Sequence, residues 1–345
     1  MSRQTQEGGD GSVNVQAAGD VVVQHGMSYS DVRDIALDVF RSNFEVLSGA
    51  AAEIVKARAE EFTENFLNEL AQKNPAGLAQ AEDPDFQYSL FVAQKEFARS
   101  GDADVGELLV QLLVDKTTKE KRSLQRIVLG ESLQVAPRLT AEQISILAMV
   151  FILRYSKSLA IGSQKMLGEY FGRRLAPYMD CVGLRFSAYQ HLEYLGCGSL
   201  GMMTQSLPNL ILAEYPGLFF EGFDLEYLRS RGVNLAPSHP VFCRCLNDPQ
   251  KMQFSAVSRE VLDQQIEMHG LQEMQSVLVS LYESGRMDEQ KIQTLMSEQQ
   301  PMLVDIFKMW NTSMGALSLT SVGLAIAHAS IKGNFSDAGD LSIWI

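Results

Sequence analysis

The sequence predicts a mainly α-helical protein with a short N-terminal β-repeat, a long stalk helix, a helical core and a small α+β element at the C-terminal end. Three observations carry this. Over most of residues 28–310, apolar side chains recur at three- and four-residue spacing, the period of an amphipathic helix. Residues 8–26 alternate instead with period two, as a half-buried strand does. Residues 315–345 return to short alternating runs on either side of one helix.

In the repeat, Gly9-Asp10 recurs as Gly19-Asp20, with Val13 and Val15 alternating with Asn14 and Gln16. Val21 and Val23 share a face in the second unit, and Gly-Asp is turn chemistry. Two such strands are marginal alone in water. The expected partner is the same segment of another copy, a homo-oligomer joined at Val13, Val15, Val21 and Val23. Ser28 and Asp31 then form a capping box. Val32, Ile35, Val39, Val46, Ala50, Ile54, Phe62, Phe66 and Leu70 continue at helical spacing until Asn74-Pro75 stops the run. Unbroken, 28–73 would be a stalk of about 70 Å; Ser48-Gly49 is the place for a break.

Asp83-Pro84 opens the next helix, and Ser100-Gly101 closes it. Segments 105–115 and 124–135 read as a helical hairpin around the basic turn KTTKEKR. Thr140 and Gln143 cap 144–157, which is apolar nearly all round and so expected at the centre. Helices follow at 164–175 and 184–195. Residues 196–249 are the least regular, with a boundary near 235–240. Four short helices, 258–269, 271–282, 288–299 and 302–310, precede a strand at 315–319, a helix at 321–331 and a final strand at 341–345 that is expected to pair with 315–319. The resulting division is 1–26 for oligomerisation, 27–74 stalk, 75–235 helical core and 236–345 second helical domain.

A formal net charge of −13 argues against generic adhesion to nucleic acid or anionic membrane. The first ten residues hold no apolar signal core, and the most apolar run, 144–153, falls short of the roughly 20 residues of a membrane span. Cys181, Cys197, Cys243 and Cys245 are too few and too unevenly placed for a disulfide framework. A cytoplasmic protein with reduced thiols is expected.

Candidate chemistry is sparse. Gly196-Cys-Gly-Ser-Leu-Gly201 matches G-x-G-x-x-G, but a helix precedes it where a dinucleotide site needs a strand; a helix C-cap and glycine-rich turn account for it better. His239, Cys243 and Cys245 are the nearest approach to a metal set, yet C-x-C with one histidine lacks a fourth ligand, so ordinary buried thiols are expected and no cofactor is assigned. His191 reads as a partly buried structural histidine, and His25, His269 and His328 stand isolated at element ends. Two basic clusters invite a phosphate. One is Lys116, Lys119, Lys121, Arg122 and Arg126, diluted by Asp115 and Glu120; the other is Arg173, Arg174 and Arg185 with Tyr170 and Tyr178 interleaved, where Arg173 and Arg174 stand next to Tyr170 and Phe171. No acid–base or nucleophilic site assembles from these parts.

The pattern Leu319-Thr320-x-x-Gly323-x-x-Ile326-Ala327 resembles the end of a winged-helix domain. With SYSDVRDIALDVF, YQHLEYLGCG and the terminal GDLSIWI, the whole chain resembles an uncharacterised bacterial family known by locus-tag names. The Gly-Asp repeat is similar to N-terminal segments of proteins from bacterial conflict and phage-defence loci. These resemblances imply a non-enzymatic oligomerising interaction or sensor protein, with an effector protein encoded nearby as a partner. The alternatives are a winged-helix nucleic-acid-binding regulator and an enzyme of unknown type using the Cys/His-containing middle segment.

Overall fold

A computed structural model describes residues 27–43, 49–181, 185–202, 204–335 and 337–345. The Gly-Asp repeat, with Val13, Val15, Val21 and Val23, lies outside the described residues. What is described is mainly helical, as its periodicity predicts.

The stalk expected over 28–73 is not one helix. Helix α1 (Tyr29–Asn43) and helix α2 (Ala50–Lys73) form an antiparallel hairpin, in which Arg33 reaches Glu64 at 3.4 Å and Arg41 reaches Glu60 at 3.9 Å. Gly49, at φ 59°, sits at the start of α2 in a backbone region that glycine adopts at no steric cost. The stripe that looked too long for a compact domain is consumed by that domain: Val32, Ala36, Phe62, Phe66 and Leu67 all join the main core. Fully burying each large side chain of this kind is worth about 1.5–3 kcal/mol, which an exposed stalk would forgo. The Ser28–Asp31 capping box is present, the Ser28 amide donating to Asp31 Oδ2 at 2.9 Å.

Helix α3 (Pro84–Ser100) is capped by Asp83, whose side chain accepts from the Asp85 amide. Helices α4 (Ala103–Thr117) and α5 (Leu124–Val135) make the expected hairpin. Thr140 and Gln143 form a complete capping box on α6 (Ala141–Val150), which runs into a π-turn at Phe151–Tyr155. From Ile146 to Leu153 every residue is buried. Helices α7 (Gln164–Leu175), α8 (Phe186–Tyr194) and α9 (Leu207–Glu214) follow, with the short strand β1 (Gly198–Leu200) between the last two.

A lobe with its own core is inserted next. It holds α10 (Leu225–Ser230), the antiparallel pair β2 (Phe242–Arg244) and β3 (Met252–Phe254), α11 (Arg259–Met268) and α12 (Gln275–Ser284). Phe220, Phe223, Phe242, Phe254 and Tyr282 pack edge-on in its centre. The chain enters and leaves side by side: Glu221 donates to Gly285 O and Met287 to Phe219 O. The boundary expected near residue 235 lies inside this lobe.

Helices α13 (Glu289–Gln299) and α14 (Leu303–Met309) return to the main body, followed by β4 (Leu317–Leu319) and α15 (Ser321–Asn334). Helix α15 lies against α4, α5 and α6, so helices from both ends of the described residues share one core. Among the described residues the winged-helix-like strand–helix–strand arrangement is not found. Strand β4 pairs antiparallel with β1, and Leu341–Ile343 is a 3-10 turn. The physical reason is the better partner. Gly198 lets β1 approach so closely that a Cβ there would meet Leu317 Cδ1 at 2.6 Å, and a Cβ on Gly323 would fall 1.8 Å from Cys197 O. Thr320 caps α15 through the Gly323 amide and also donates to Gly196 O. The two glycine-bearing motifs of the sequence are thus two halves of one clasp. Among the described residues, no helix is long and apolar enough to cross a membrane.

Candidate functional site

The first basic cluster is brought together by structure. Lys116, Lys121, Arg122 and Arg126 flank a cleft of about 550 Å³ between the N-terminal end of α3, the C-terminal end of α4, the turn after it and α5, whereas Lys119 pairs with Asp340 at 3.1 Å. Lys116 and Arg126 are 5% and 6% exposed, so each charge needs a partner. Asp85 supplies it for both. The Lys116 ammonium donates to the two Asp85 oxygens at 2.8 and 2.9 Å, and Arg126 donates through Nε at 3.0 Å. Arg126 also reaches Gln80 Oε1 at 3.2 Å and Lys119 O at 3.3 Å. Burial works against ionised Asp85, but the hydrogen bond and charge of Lys116, then those of Arg126, outweigh it and hold the carboxyl below its ordinary value. Lys121 pairs with Asp83 at 2.6 Å, and chiefly through that bond the Asp83 carboxyl is lowered too. The floor is therefore a satisfied ion network, while its mouth presents Arg122, Tyr88 and Ile127.

Lys116 Nζ stands 2.6 Å from Ser89 Oγ, the distance of a nucleophile–base pair. The bonding denies that role. The Lys116 ammonium donates to both Asp85 oxygens, and the Ser89 hydroxyl donates to Asp85 O at 2.7 Å. An ammonium cannot accept the serine proton. The arrangement binds charge; it does not activate a nucleophile.

The second basic cluster is split. Arg173 is exposed, whereas Arg174 is buried, paired with Asp337 at 2.7 Å and placed over the rings of Phe335 and Tyr170 at 4.6 and 5.7 Å. Arg174 is a packing residue and offers nothing to a phosphate.

His239, Cys243 and Cys245 do not converge on a point. His239 packs edge-on against His269 at 5.1 Å, the Cys243 thiol faces Phe254 O and the Cys245 thiol faces Phe220 O. Burial, and then the neighbouring Cys245, push the Cys243 thiol upward; burial pushes Cys197 up to about 12. The Cys243 and Cys245 thiols thus each face a backbone carbonyl. The side chain of Cys181 is outside the described residues. Among the described residues, no group of three or more His, Cys, Asp and Glu is placed to hold a metal ion.

Two histidines differ from expectation. His191 is exposed, its Nδ1 3.1 Å from the Gln143 side chain. His328 is not isolated: it is 1% exposed, among Phe151, Trp344 and Asp115. Helical spacing alone places His328 on the face that α15 buries, but its acidic neighbour comes from 213 positions earlier in the chain, so no local signal marks the pair. A larger hollow of about 710 Å³ lies between α2, α4, α6 and α15 and presents Glu61, Glu69, Asp104 and Glu107, with Glu69 held by Lys73 and Gln111.

A protein-family model matches residues 26–345. No curated protein and no solved structure matches the chain.

Proposed function

The chain belongs to the uncharacterised, locus-tag-named family whose model covers residues 26–345, and on that footing we propose that it is a non-enzymatic oligomerising interaction or sensor protein. Residues 8–26 join copies through Val13, Val15, Val21 and Val23. The context is a bacterial conflict system, with an effector protein encoded nearby as the recipient of the assembled state. The observation that supports this is where the body closes. Met27 packs on the main core, Ser28 and Asp31 cap α1, and the family match begins at residue 26. The repeat therefore precedes a body that already has a capped first helix and a shared core. A β-branched, alternating segment attached directly to such a body needs another strand for its backbone groups, and a second copy carries one.

Light scattering on the full chain and on a chain starting at Met27 tests this. The full chain is expected as a defined oligomer and the shortened one as a smaller species. Val21→Asp with Val23→Asp is expected to reproduce the loss, because an unpaired charge between packed strands is not tolerated. Monomers in both cases at tens of micromolar overturn the proposal.

A further inference from the structure

Two residues lining the α3–α5 cleft are poor choices for the local fold. Arg122 has φ 62°, and among the described residues it is the one non-glycine in that left-handed region. A turn at such a position favours glycine or asparagine, since a Cβ there crowds the backbone. Arginine makes the turn worse, so its side chain is present for another reason. Among the described residues it has no ion pair or hydrogen bond through that side chain, it is exposed, and it lines the cleft. Gly130 lies inside α5, where alanine is the better helix former. There is room for alanine: an added Cβ would meet Lys116 Cε at 3.6 Å and Nζ at 3.7 Å, ordinary contact distances. Glycine leaves the space over the Lys116 ammonium open instead. Departures from local preference gather where function constrains a residue, and these two line one cavity.

The rest of the lining states what would fit. Tyr88 is 60% exposed and Ile127 52%, a large apolar surface at the mouth. Lys116, Lys121, Arg122 and Arg126 face Asp83, Asp85 and Glu131, which leaves a locally positive site on a chain of formal charge −13. A cavity of about 550 Å³ falls within the usual range for small-molecule sites.

We propose that this cleft binds a small phosphate monoester carried on a flat apolar body. The Arg122 guanidinium and the Lys121 ammonium take the phosphate, and the apolar body lies against Tyr88 and Ile127. Two rim cations suit the double charge of a phosphate monoester better than the single charge of a carboxylate. Asp83 and Asp85 do not repel the ligand as free charges would, because the buried Lys116 and Arg126 pair with Asp85 and Arg126 also stands 3.9 Å from Asp83, so that the exposed Lys121 exchanges Asp83 for the phosphate when the ligand binds. No residue of 8–26 enters this proposal, so the calorimetry and the light scattering fail or succeed independently.

The test is titration calorimetry on the full chain with phenyl phosphate, inorganic phosphate and phenol. Phenyl phosphate is expected to bind saturably, with a Kd on the order of 1 mM or tighter for a ligand of this size. Inorganic phosphate and phenol, each carrying half of the recognised chemistry, are expected to bind at least about tenfold more weakly. Arg122→Gly is expected to weaken phenyl phosphate by about tenfold or more while melting at or above the parent temperature, because it relieves the left-handed backbone. Gly130→Ala is expected to weaken binding without lowering the melting temperature. Absence of saturable binding at about 10 mM phenyl phosphate overturns the proposal. So does equal binding of inorganic phosphate, unchanged binding by Arg122→Gly, or a melting temperature of that variant below the parent's, which would assign Arg122 to the fold.

Discussion

His328 shows how a single buried group couples the body to pH. Its Nε2 faces Gly339 O at 3.0 Å, so that nitrogen carries the proton; Nδ1 has no hydrogen-bond partner, with Asp115 Oδ2 at 4.0 Å. Burial pushes its pKa below the ordinary histidine value, against the opposing pull of Gly339 O and Asp115. With the folded pKa depressed, the unfolded chain takes up the proton first. Stability therefore falls as pH drops below about 6.5, and this loss levels off once pH is below the folded value. Asp340 acts at lower pH. Its carboxyl is held far below the usual range by hydrogen bonds from Ser342 and then by Lys119, so its contribution is present above about pH 4 and is lost on further acidification. Urea melts at pH 7.5 and 5.5 are expected to show a loss of stability for the parent and a smaller one for His328→Gln. Equal losses would remove His328 as the cause.

The C-terminal segment shows why alternation is a weak guide over five residues. Leu341-Ser-Ile-Trp-Ile345 satisfies a strand pattern, and a strand would put Leu341, Ile343 and Ile345 on one face. As a 3-10 turn it buries Leu341, leaves Ile343 68% exposed and turns Trp344 onto Phe151, ring centres 4.7 Å apart. The segment straps three elements together: Asp340 pairs with Lys119, Trp344 Nε1 donates to Tyr155 O at 2.7 Å, and Gln125 donates to Ile345 O at 2.7 Å. Trp344→Ala is expected to cost about 2 kcal/mol or more, as a half-buried aromatic does, and Ile343→Ala less than about 0.5 kcal/mol. Chemical denaturation distinguishes this from a strand pairing, in which Ile343 would be the costly position.

For the molecule as a whole, charge and burial point the same way about nucleic acid. The net charge is −13, Arg174 is enclosed by Asp337, Phe335 and Tyr170, and the other basic cluster is largely neutralised by Asp83 and Asp85. No stripe of free cations remains in either predicted cluster to release counterions from a duplex. Fluorescence anisotropy is expected to show no submicromolar affinity for plain duplex DNA at physiological salt, and Arg173→Ala is expected to change nothing. Submicromolar affinity that falls steeply with salt would reverse this and restore the regulator alternative.

Helix class, most helix positions and the caps at Ser28, Asp83 and Thr140 were determined by the sequence alone, because periodicity and capping are chosen within a few consecutive residues. The hairpin of α1 and α2, the β1–β4 clasp and the contact of Asp115 with His328 were decided only by tertiary structure. Each joins residues far apart in the chain, and the gain comes from surfaces that meet only after the loops between them close. Gly196, Gly198 and Gly323 make the point most directly. As sequence they resemble a nucleotide loop and a wing; in the fold Gly196 turns the chain at φ 73°, while Gly198 and Gly323 are the places where two backbones press together too closely for any side chain. The cleft divides in the same way. Its basic residues are visible as a cluster, but that Asp85 would neutralise the floor and Arg122 stay unpaired at the rim followed from how α3 docks on α4 and α5.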